Sequence, residues 1–581
     1  MKLVIAEKPS VAMSIAKVLK ANNRKNGYME GNGYIVSWCV GHLVGLANAE
    51  EYNEKYKKWD IKDLPIIPDK WETTVFKKTS SQFKTLKSLM NLDRVSEVIC
   101  ATDAGREGEL IFRLVYEKAK CKKPIKRLWI SSMEESSIKK GFENLREGRE
   151  YIPLYESALA RAKADWLVGI NATRLFTCLY GNLLSVGRVQ TPTLFLIVDR
   201  EEKINNFKST KYYNLSLELE NFSIKSERFN IKTEAKSALK DIADEYVMCS
   251  EVDEKIKRIK PPLPFDLTTL QRESNRYFGY TAKQTLDYLQ SLYEKKWITY
   301  PRTDSRYLTE DMKSTLIEII EFISADVNIE SPNINRICNN AKVTDHHAII
   351  PTLETKNLDI NEIPKTEQNL YGLICMKLLS SVSKVCIERE ITAVFELNSH
   401  IFKTTGTEII DQGYKEIENR YLMQFNNHGD KKEEGQLPII TKGEQYRIIS
   451  KDIKEGKTTP PKRYTEDTLL SSMERAGREE THDLLDIERI GLGTPATRAS
   501  IIEKLISVGY VERVNKNLIP TKKAYHLITV VPEELKSPKL TARWENELTL
   551  MSMGKGSEKR FINEIKKIVK DIIIKYSKLQ R

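Results

Sequence analysis

Asp103-Ala104-Gly105-Arg106-Glu107-Gly108-Glu109 brings three carboxylates and a guanidinium together where an apolar run gives way to a helix-like one. Glu7 holds the same position after the first apolar run, Lys2–Ala6. In an open α/β sheet the carboxyl ends of neighbouring strands meet at one crevice, so Glu7, Asp103 and Glu107 are expected to converge there. Clustered carboxylates repel one another, and an oxygen-coordinated Mg²⁺ relieves the repulsion while bridging to phosphate. The plainer reading is a set of helix N-terminal acids stabilised by the dipole. This segment alone does not choose between them.

A second candidate is Trp297-Ile298-Thr299-Tyr300-Pro301-Arg302-Thr303-Asp304-Ser305. A tyrosine is a poor nucleophile unless a cation stabilises its phenolate. Arg302, two residues on, supplies a charge that does not titrate away and can hold a phosphate through two bonds. The bland alternative is a Tyr-Pro turn beside a solvated arginine. Ser185-Val186-Gly187-Arg188-Val189-Gln190-Thr191-Pro192-Thr193 offers hydroxyl, amide and guanidinium donors around a glycine, as a backbone-gripping loop would. Gly491-Leu492-Gly493-Thr494-Pro495-Ala496-Thr497-Arg498 has the same chemistry. Asp345-His346-His347 sets two imidazoles side by side, without a third metal ligand at plausible spacing. A histidine that touches phosphate or relays a proton is the better functional reading.

The elements that must position these groups alternate at first. Lys2–Ala6 reads as a strand, followed by a helix Val11–Leu19 that Ser10 can cap. Ser96–Thr102 then precedes a helix from Arg106 to Lys118, and Ile125–Ser131 precedes a helix around Ser137–Leu145. Such alternation predicts a parallel sheet flanked by helices. Residues 151–205 read as helical and 210–260 as strands. Pro261-Pro262-Leu263-Pro264 reads as a hinge, since proline stiffens the chain and removes donors. Helices return over 267–390, strands over 391–450 and helices from 465, an order that suggests domains interrupted by one another.

The chain has 581 residues, a formal net charge of +12, 40% hydrophobic and 30% charged residues, which describes a folded protein with a polyanion among its partners. No apolar run reaches the ~18 residues of a membrane span, and Leu3–Ala6 is too short for a signal peptide core. The eight cysteines form no Cys-x-x-Cys pair, which argues against a zinc ribbon or a disulfide framework and fits a reducing cytoplasm. Gly456-Lys457-Thr458 is not a nucleotide loop, because lysine stands at position 451 where that motif needs glycine.

Taken together, these segments resemble the type IA topoisomerases, the topoisomerase III branch in particular. The resemblance also rests on Ala6-Glu7-Lys8-Pro9-Ser10, Gly41-His42-Leu43, Arg161-Ala162-Lys163-Ala164-Asp165-Trp166, Pro264-Phe265-Asp266-Leu267 and Pro460-Pro461-Lys462-Arg463-Tyr464-Thr465, all in family order. It implies a multidomain α/β plus α architecture closed into a toroidal clamp. A Toprim domain would occupy 1–150. A helical DNA-binding core would take 151–208 with 460–581, a strand-rich arch 209–263 with 391–459, and a helical gate carrying the tyrosine 264–390. The resemblance implies that Tyr300 attacks a DNA phosphate and becomes linked to the 5′ end. Glu7 is implied as proton donor to the departing 3′-oxygen, with Asp103 and Glu107, and Glu7 itself, about Mg²⁺. Lys8 and Arg302 would hold the scissile phosphate. Arg161, Asp165, Ser185, Val186, Gly187, Arg188, Val189, Gln190, His346 and Arg498 would contact the single strand. DNA is the expected partner, with a helicase beside it, and the expected form is a cytoplasmic monomer that needs no ATP, since one phosphodiester is exchanged for another.

Two departures stand out. Many relatives have Asp-x-Asp-x-Glu where this chain has Gly105 at the second aspartate, so a ligand is missing or supplied by water or by a residue such as Glu109. Many continue into Cys-rich ribbons, whereas Lys559–Arg581 is a basic helical stretch with 8 Lys/Arg against 2 acids. A primase-like Toprim nucleotidyl transferase would explain the acidic run but not the tyrosine segment. A single-strand-binding protein without enzymatic activity would form no covalent adduct.

Overall fold

The computed structural model describes all residues except 131–132, 134, 325–328, 330, 344–345, 358, 426–436, 477–490 and 579–581. Among the described residues, seven strands form one sheet in the order Asn23–Lys25, Tyr28–Gly31, Tyr34–Trp38, Lys2–Ala6, Glu97–Ala101, Ile125–Arg127, Arg146–Glu147. The middle four run parallel. In Lys2–Ala6 and Glu97–Ala101 the apolar run is continuous because both faces are covered. Leu3, Ile5, Val98 and Cys100 face the helix Arg106–Lys118, whereas Val4, Ala6, Ile99 and Ala101 face the helix Pro9–Leu19.

The helix Arg106–Lys118 has the bounds that its sequence pattern predicts. The first helix does not: it begins at Pro9, Lys8 occupies the cap position, and no side chain caps it. Proline at the first helical position lacks the amide that would otherwise go unpaired there, and it places Ser10 inside the first turn rather than at its cap. The strand expected over Ile125–Ser131 ends at Arg127; Ser131 lies outside the described residues.

A closed barrel of six strands takes its members from two distant stretches of chain: Lys211–Leu219, Ser223–Ser226 and Tyr246–Ile259 from one, Cys386–Leu397, His400–Asp411 and Gln445–Lys457 from the other. Between them lie the helices Leu267–Phe278, Ala282–Glu294, Lys313–Ile323 and Lys365–Val382. The long helix Ile152–Tyr180 shares an apolar core with Gln190–Asn205, Pro538–Ser552 and Glu558–Ser577. The proline stretch 261–264 is fastened. Arg336 donates to the carbonyls of Pro261 and Pro262, and Arg306 to those of Leu263 and Pro264. No helix among the described residues is long and apolar enough to cross a membrane.

Candidate active site

Ala6 and Ala101 are register partners on adjacent parallel strands, so the residues after them emerge side by side. The backbone amide of Asp103 donates to Glu7 Oε2 at 3.2 Å. Glu7 is buried, and its carboxyl is pushed up to about 8, first by burial and then by the charge of Asp103, against the opposing pull of Arg302 and Lys8. At neutral pH Glu7 therefore carries a proton.

The tyrosine segment reaches this crevice from another part of the chain. Thr299 pins it to residues 348–350: its amide donates to Ile350 O at 3.0 Å and its hydroxyl to Ala348 O at 3.1 Å. Tyr300 is buried, with its ring 4.3 Å from the His346 imidazole and 5.3 Å from Tyr293. Its hydroxyl donates to Asp103 Oδ2 at 2.5 Å. Burial, then Asp103 and Glu7, hold that proton well above the ordinary tyrosine range, and only Arg302 opposes them. Tyr300 rests as the phenol.

Arg302 stands in the field of Tyr300, Asp103, Glu7 and Glu107, which together keep it charged despite burial. Its Nε is buried without a hydrogen-bond partner among the described residues. That donor fits an incoming oxygen acceptor. Lys8 Nζ lies 3.7 Å from Glu294 Oε1. His346 is also buried, and burial followed by His347 pushes its imidazole down to about 3, so it is neutral. His347 Nδ1 is 2.8 Å from its neighbour's carbonyl, Ala348 O. Their acidic neighbour Asp345 lies outside the described residues.

The three carboxylates expected to converge are placed unevenly. Among the described residues no group of three His, Cys, Asp or Glu gathers as metal ligands. Glu7 and Asp103 meet, but Glu107 turns to His42, whose Nε2 is 2.7 Å from Glu107 Oε1. Against partial desolvation by the surrounding groups, the bond from His42 and the charges of Arg161 and Arg106 hold the exposed Glu107 carboxyl below the usual range. Glu109 does not replace the missing aspartate either. It is buried, with Oε1 2.9 Å from Arg127 Nε and Oε2 2.9 Å from Arg113 Nε. A hard dication that keeps most of its waters needs only one or two carboxylates plus substrate oxygens. Asp103 and Glu107 fit that demand. Gly105 has φ 171°, extended backbone that an aspartate adopts equally well.

The residues expected to touch a single strand are placed unevenly. Arg161 and Asp165 stand one turn apart on the helix Ile152–Tyr180. Arg188 is buried between two acids, with Nε 2.7 Å from Asp165 and Nη1 2.7 Å from Glu545. Arg161 Nε is 4.0 Å from the same Glu545 oxygen. The loop from Ser185 is held by its backbone: Val186 N donates to Thr173 Oγ1, Gly187 N to Thr191 Oγ1, and Ser185 O accepts from Tyr510. Val186 and Val189 are buried, and Gln190 opens the helix Gln190–Asn205. A cavity of about 540 Å³ lies beside the loop, lined among others by Asp165, Trp166, Ser185, Val186, Tyr56 and Trp59. Arg498 is buried away from it. Its Nη1 donates to Thr268 Oγ1 at 2.8 Å and its Nε to Leu492 O at 3.3 Å.

Sequence reasoning left His42, Tyr293, Glu294 and Glu545 without roles. Only His42 had a local signal, in Gly41-His42-Leu43 just past a strand end; the other three are brought in by packing.

Comparisons with known proteins identify the family and the fold. The DNA topoisomerase family model matches residues 149–563, and the Toprim domain model matches residues 2–133. DNA topoisomerase 3 of Shouchella clausii (strain KSM-K16) is 41% identical, over 98% of this chain and 80% of the relative. DNA topoisomerase 3 of Bacillus cereus (strain ATCC 10987 / NRS 248) is also 41% identical, over 98% and 81%. Full-length topoisomerase I from Thermotoga maritima shares the fold, with a TM-score of 0.75 at 24% identity, covering 98% of this chain and 90% of that one. With a family model spanning most of its length and such relatives along nearly all of it, the chain belongs to the type IA DNA topoisomerases, in the topoisomerase III branch.

Proposed function

We propose that the chain cuts one DNA strand with Tyr300, passes another strand through the break and reseals it without ATP, acting on negatively supercoiled or catenated DNA. The observation that carries this reading is the Tyr300 hydroxyl bonded to Asp103 in a crevice that also holds a protonated Glu7 and the unpaired Arg302 Nε.

In the forward step Tyr300 Oη bonds to phosphorus and the bond from phosphorus to the 3′-oxygen breaks. The phenol proton passes to the Asp103 carboxylate that already accepts it. Glu7 gives its proton to the departing 3′-oxygen. Arg302 and Lys8 hold the non-bridging oxygens, Lys8 exchanging Glu294 for phosphate. Resealing runs the same transfers backwards. Mg²⁺, held by Asp103 and Glu107, would supply positive charge to the phosphate. The single strand would lie along Arg161, Asp165, the loop 185–190 and His346, with the aromatic cavity available for base stacking. Arg498 would serve this surface indirectly, by tying the core to the segment that carries the tyrosine.

The barrel built from two chain segments and the shared helical core support a division into a Toprim domain (1–150), a core (151–208 with 460–581), an arch (209–263 with 391–459) and a gate (264–390), closed into a clamp. We place its work in the cytoplasm, as a monomer beside a helicase that supplies single strands. Tyr300→Phe removes one hydroxyl and keeps the ring. Incubation with supercoiled plasmid and Mg²⁺ should give no covalent adduct and no relaxation, with single-strand binding within about twofold. Normal relaxation by this variant would sink the assignment.

A further inference from the structure

The segment that carries Tyr300 meets the helical core at a second place, remote from the acidic crevice along the chain. The helix Glu466–Arg475 presents two consecutive acids in its first turn. Asp467 accepts from two arginines of the helix Leu267–Phe278: Arg272 Nε at 2.8 Å on one oxygen and Arg276 Nη2 at 3.1 Å on the other. Its own amide donates to Asn275 Oδ1 at 3.2 Å. Glu466 is buried, accepting from the Ala282 amide at 2.6 Å on one oxygen and from Arg513 Nε at 2.7 Å on the other. Lys516 adds a bond to the carbonyl of Arg276.

This contact differs from an ordinary domain core. The apolar side chains of Leu267–Phe278 belong to the cluster shared with the Toprim sheet, whereas Leu469, Leu470 and Met473 belong to that of the helical core. Across the boundary run these polar bonds and one small apolar side chain, Ala282, which packs into the helical core's cluster, and the Arg276 side chain is half-exposed. Part-exposed ion pairs gain little net energy and re-solvate cheaply, so such a face separates more readily than a dry apolar one. Asp467 has these partners only while the two parts are together.

We infer that Glu466 and Asp467 are the latch of the gate, an ionic contact that opens and re-forms each time the tyrosine segment swings away from the core to let a strand through. The inference rests on the strand-passing reading above. Interactions present in one state alone bias the equilibrium towards it, so weakening them favours the open form.

The test uses the full chain and Asp467→Asn, with Arg276→Gln as a milder second variant. Amide hydrogen exchange over the peptides that contain Ala282 and Asp467 reads opening directly, since both amides are bonded across the contact. A single-stranded oligonucleotide reads adduct formation, and negatively supercoiled plasmid reads strand passage. Losing two part-exposed ion pairs should speed exchange by about fivefold in Asp467→Asn, and less in Arg276→Gln. Adduct formation should stay within about twofold, because the pairs lie outside the crevice. Strand passage per adduct should rise at low salt, and the difference should close at high salt, where screening loosens the unaltered latch as well. Unchanged exchange, or faster exchange with unchanged passage per adduct, would overturn the latch. If the unaltered chain forms no adduct, the strand-cutting reading fails instead, and exchange still judges the contact.

Discussion

Tyr300 and Arg276 lie on one stretch of chain, 264–390, and their surroundings are chemically opposite. At Tyr300, burial holds protons on the phenol and on Glu7, so groups that would be charged or reactive in water wait in neutral form. Arg276 pairs with Asp467 of the helical core, and water reaches the pair in part. Bond exchange needs proton positions that solvent does not blur, which a buried pocket supplies. A contact that must part repeatedly needs groups that water accepts readily, which the acid–arginine face supplies. On the proposed reading, the same segment of chain carries a dry end for chemistry and a wetter end for motion.

Breaking the dry end should have the largest effect. Glu7→Gln keeps size and removes the transferable proton, so cleavage and resealing should both slow by about 10²–10⁴-fold, the usual contribution of a general acid. In the unaltered chain, adduct formation should fall as pH rises through about 8, where Glu7 loses its proton, and this limb should vanish in Glu7→Gln. The same group links pH to stability. Its carboxyl sits at about 8 in the fold against an ordinary 4.5, so its stabilising contribution is complete below 4.5 and is lost as pH rises through about 8. A melting series should accordingly show Glu7→Gln gaining on the unaltered chain as pH rises from about 4.5 to about 8, and keeping that gain above it.

Glu107 and Glu109 repeat the contrast within one helix. Glu109 is buried between Arg113 and Arg127, and the Arg127 side chain is fully buried. Glu109→Gln should leave those guanidinium groups short of charge and cost about 3–5 kcal/mol, measured by thermal or denaturant unfolding, with metal dependence unchanged. A shifted Mg²⁺ requirement in that variant would return Glu109 to the list of ligands. The smallest effects should come from metal titration. Asp103→Asn should regain part of its activity as Mg²⁺ is raised, and Gly105→Asp, on backbone that accepts it, should lower the Mg²⁺ needed for plasmid relaxation. Glu7→Gln should show no such rescue. If it responds as Asp103→Asn does, Glu7 is a ligand rather than the proton donor.

Much of the frame was legible because it is local. A continuous apolar run predicts a doubly covered strand at Lys2–Ala6, and periodicity predicts the helix Arg106–Lys118. The meeting of Glu7 with Asp103 follows from parallel strand ends. Tyr34–Trp38, which lies directly beside the first strand, was not expected, because it is flanked by glycines rather than by a helix pattern. The turn of Glu107 towards His42 and the capture of Arg188 by Asp165 and Glu545 depend on side chains from distant elements, which no spacing along the chain reveals. Arg498 reads as a phosphate grip from its neighbours, and its buried bond to Thr268 is a further contact that spacing does not reveal.

The barrel has a consequence for how the molecule is made. Lys211–Leu219 lies along Gln445–Lys457, so its final partner leaves the ribosome more than two hundred residues later. At ordinary rates of synthesis that delay lasts tens of seconds, during which the early strands present unpaired amides and carbonyls. The helices between them have local cores and can form in the meantime. Closure must then wait for the last strand, and a chain stalled before residue 445 would carry an open sheet edge, a template for pairing with its neighbours on the same message.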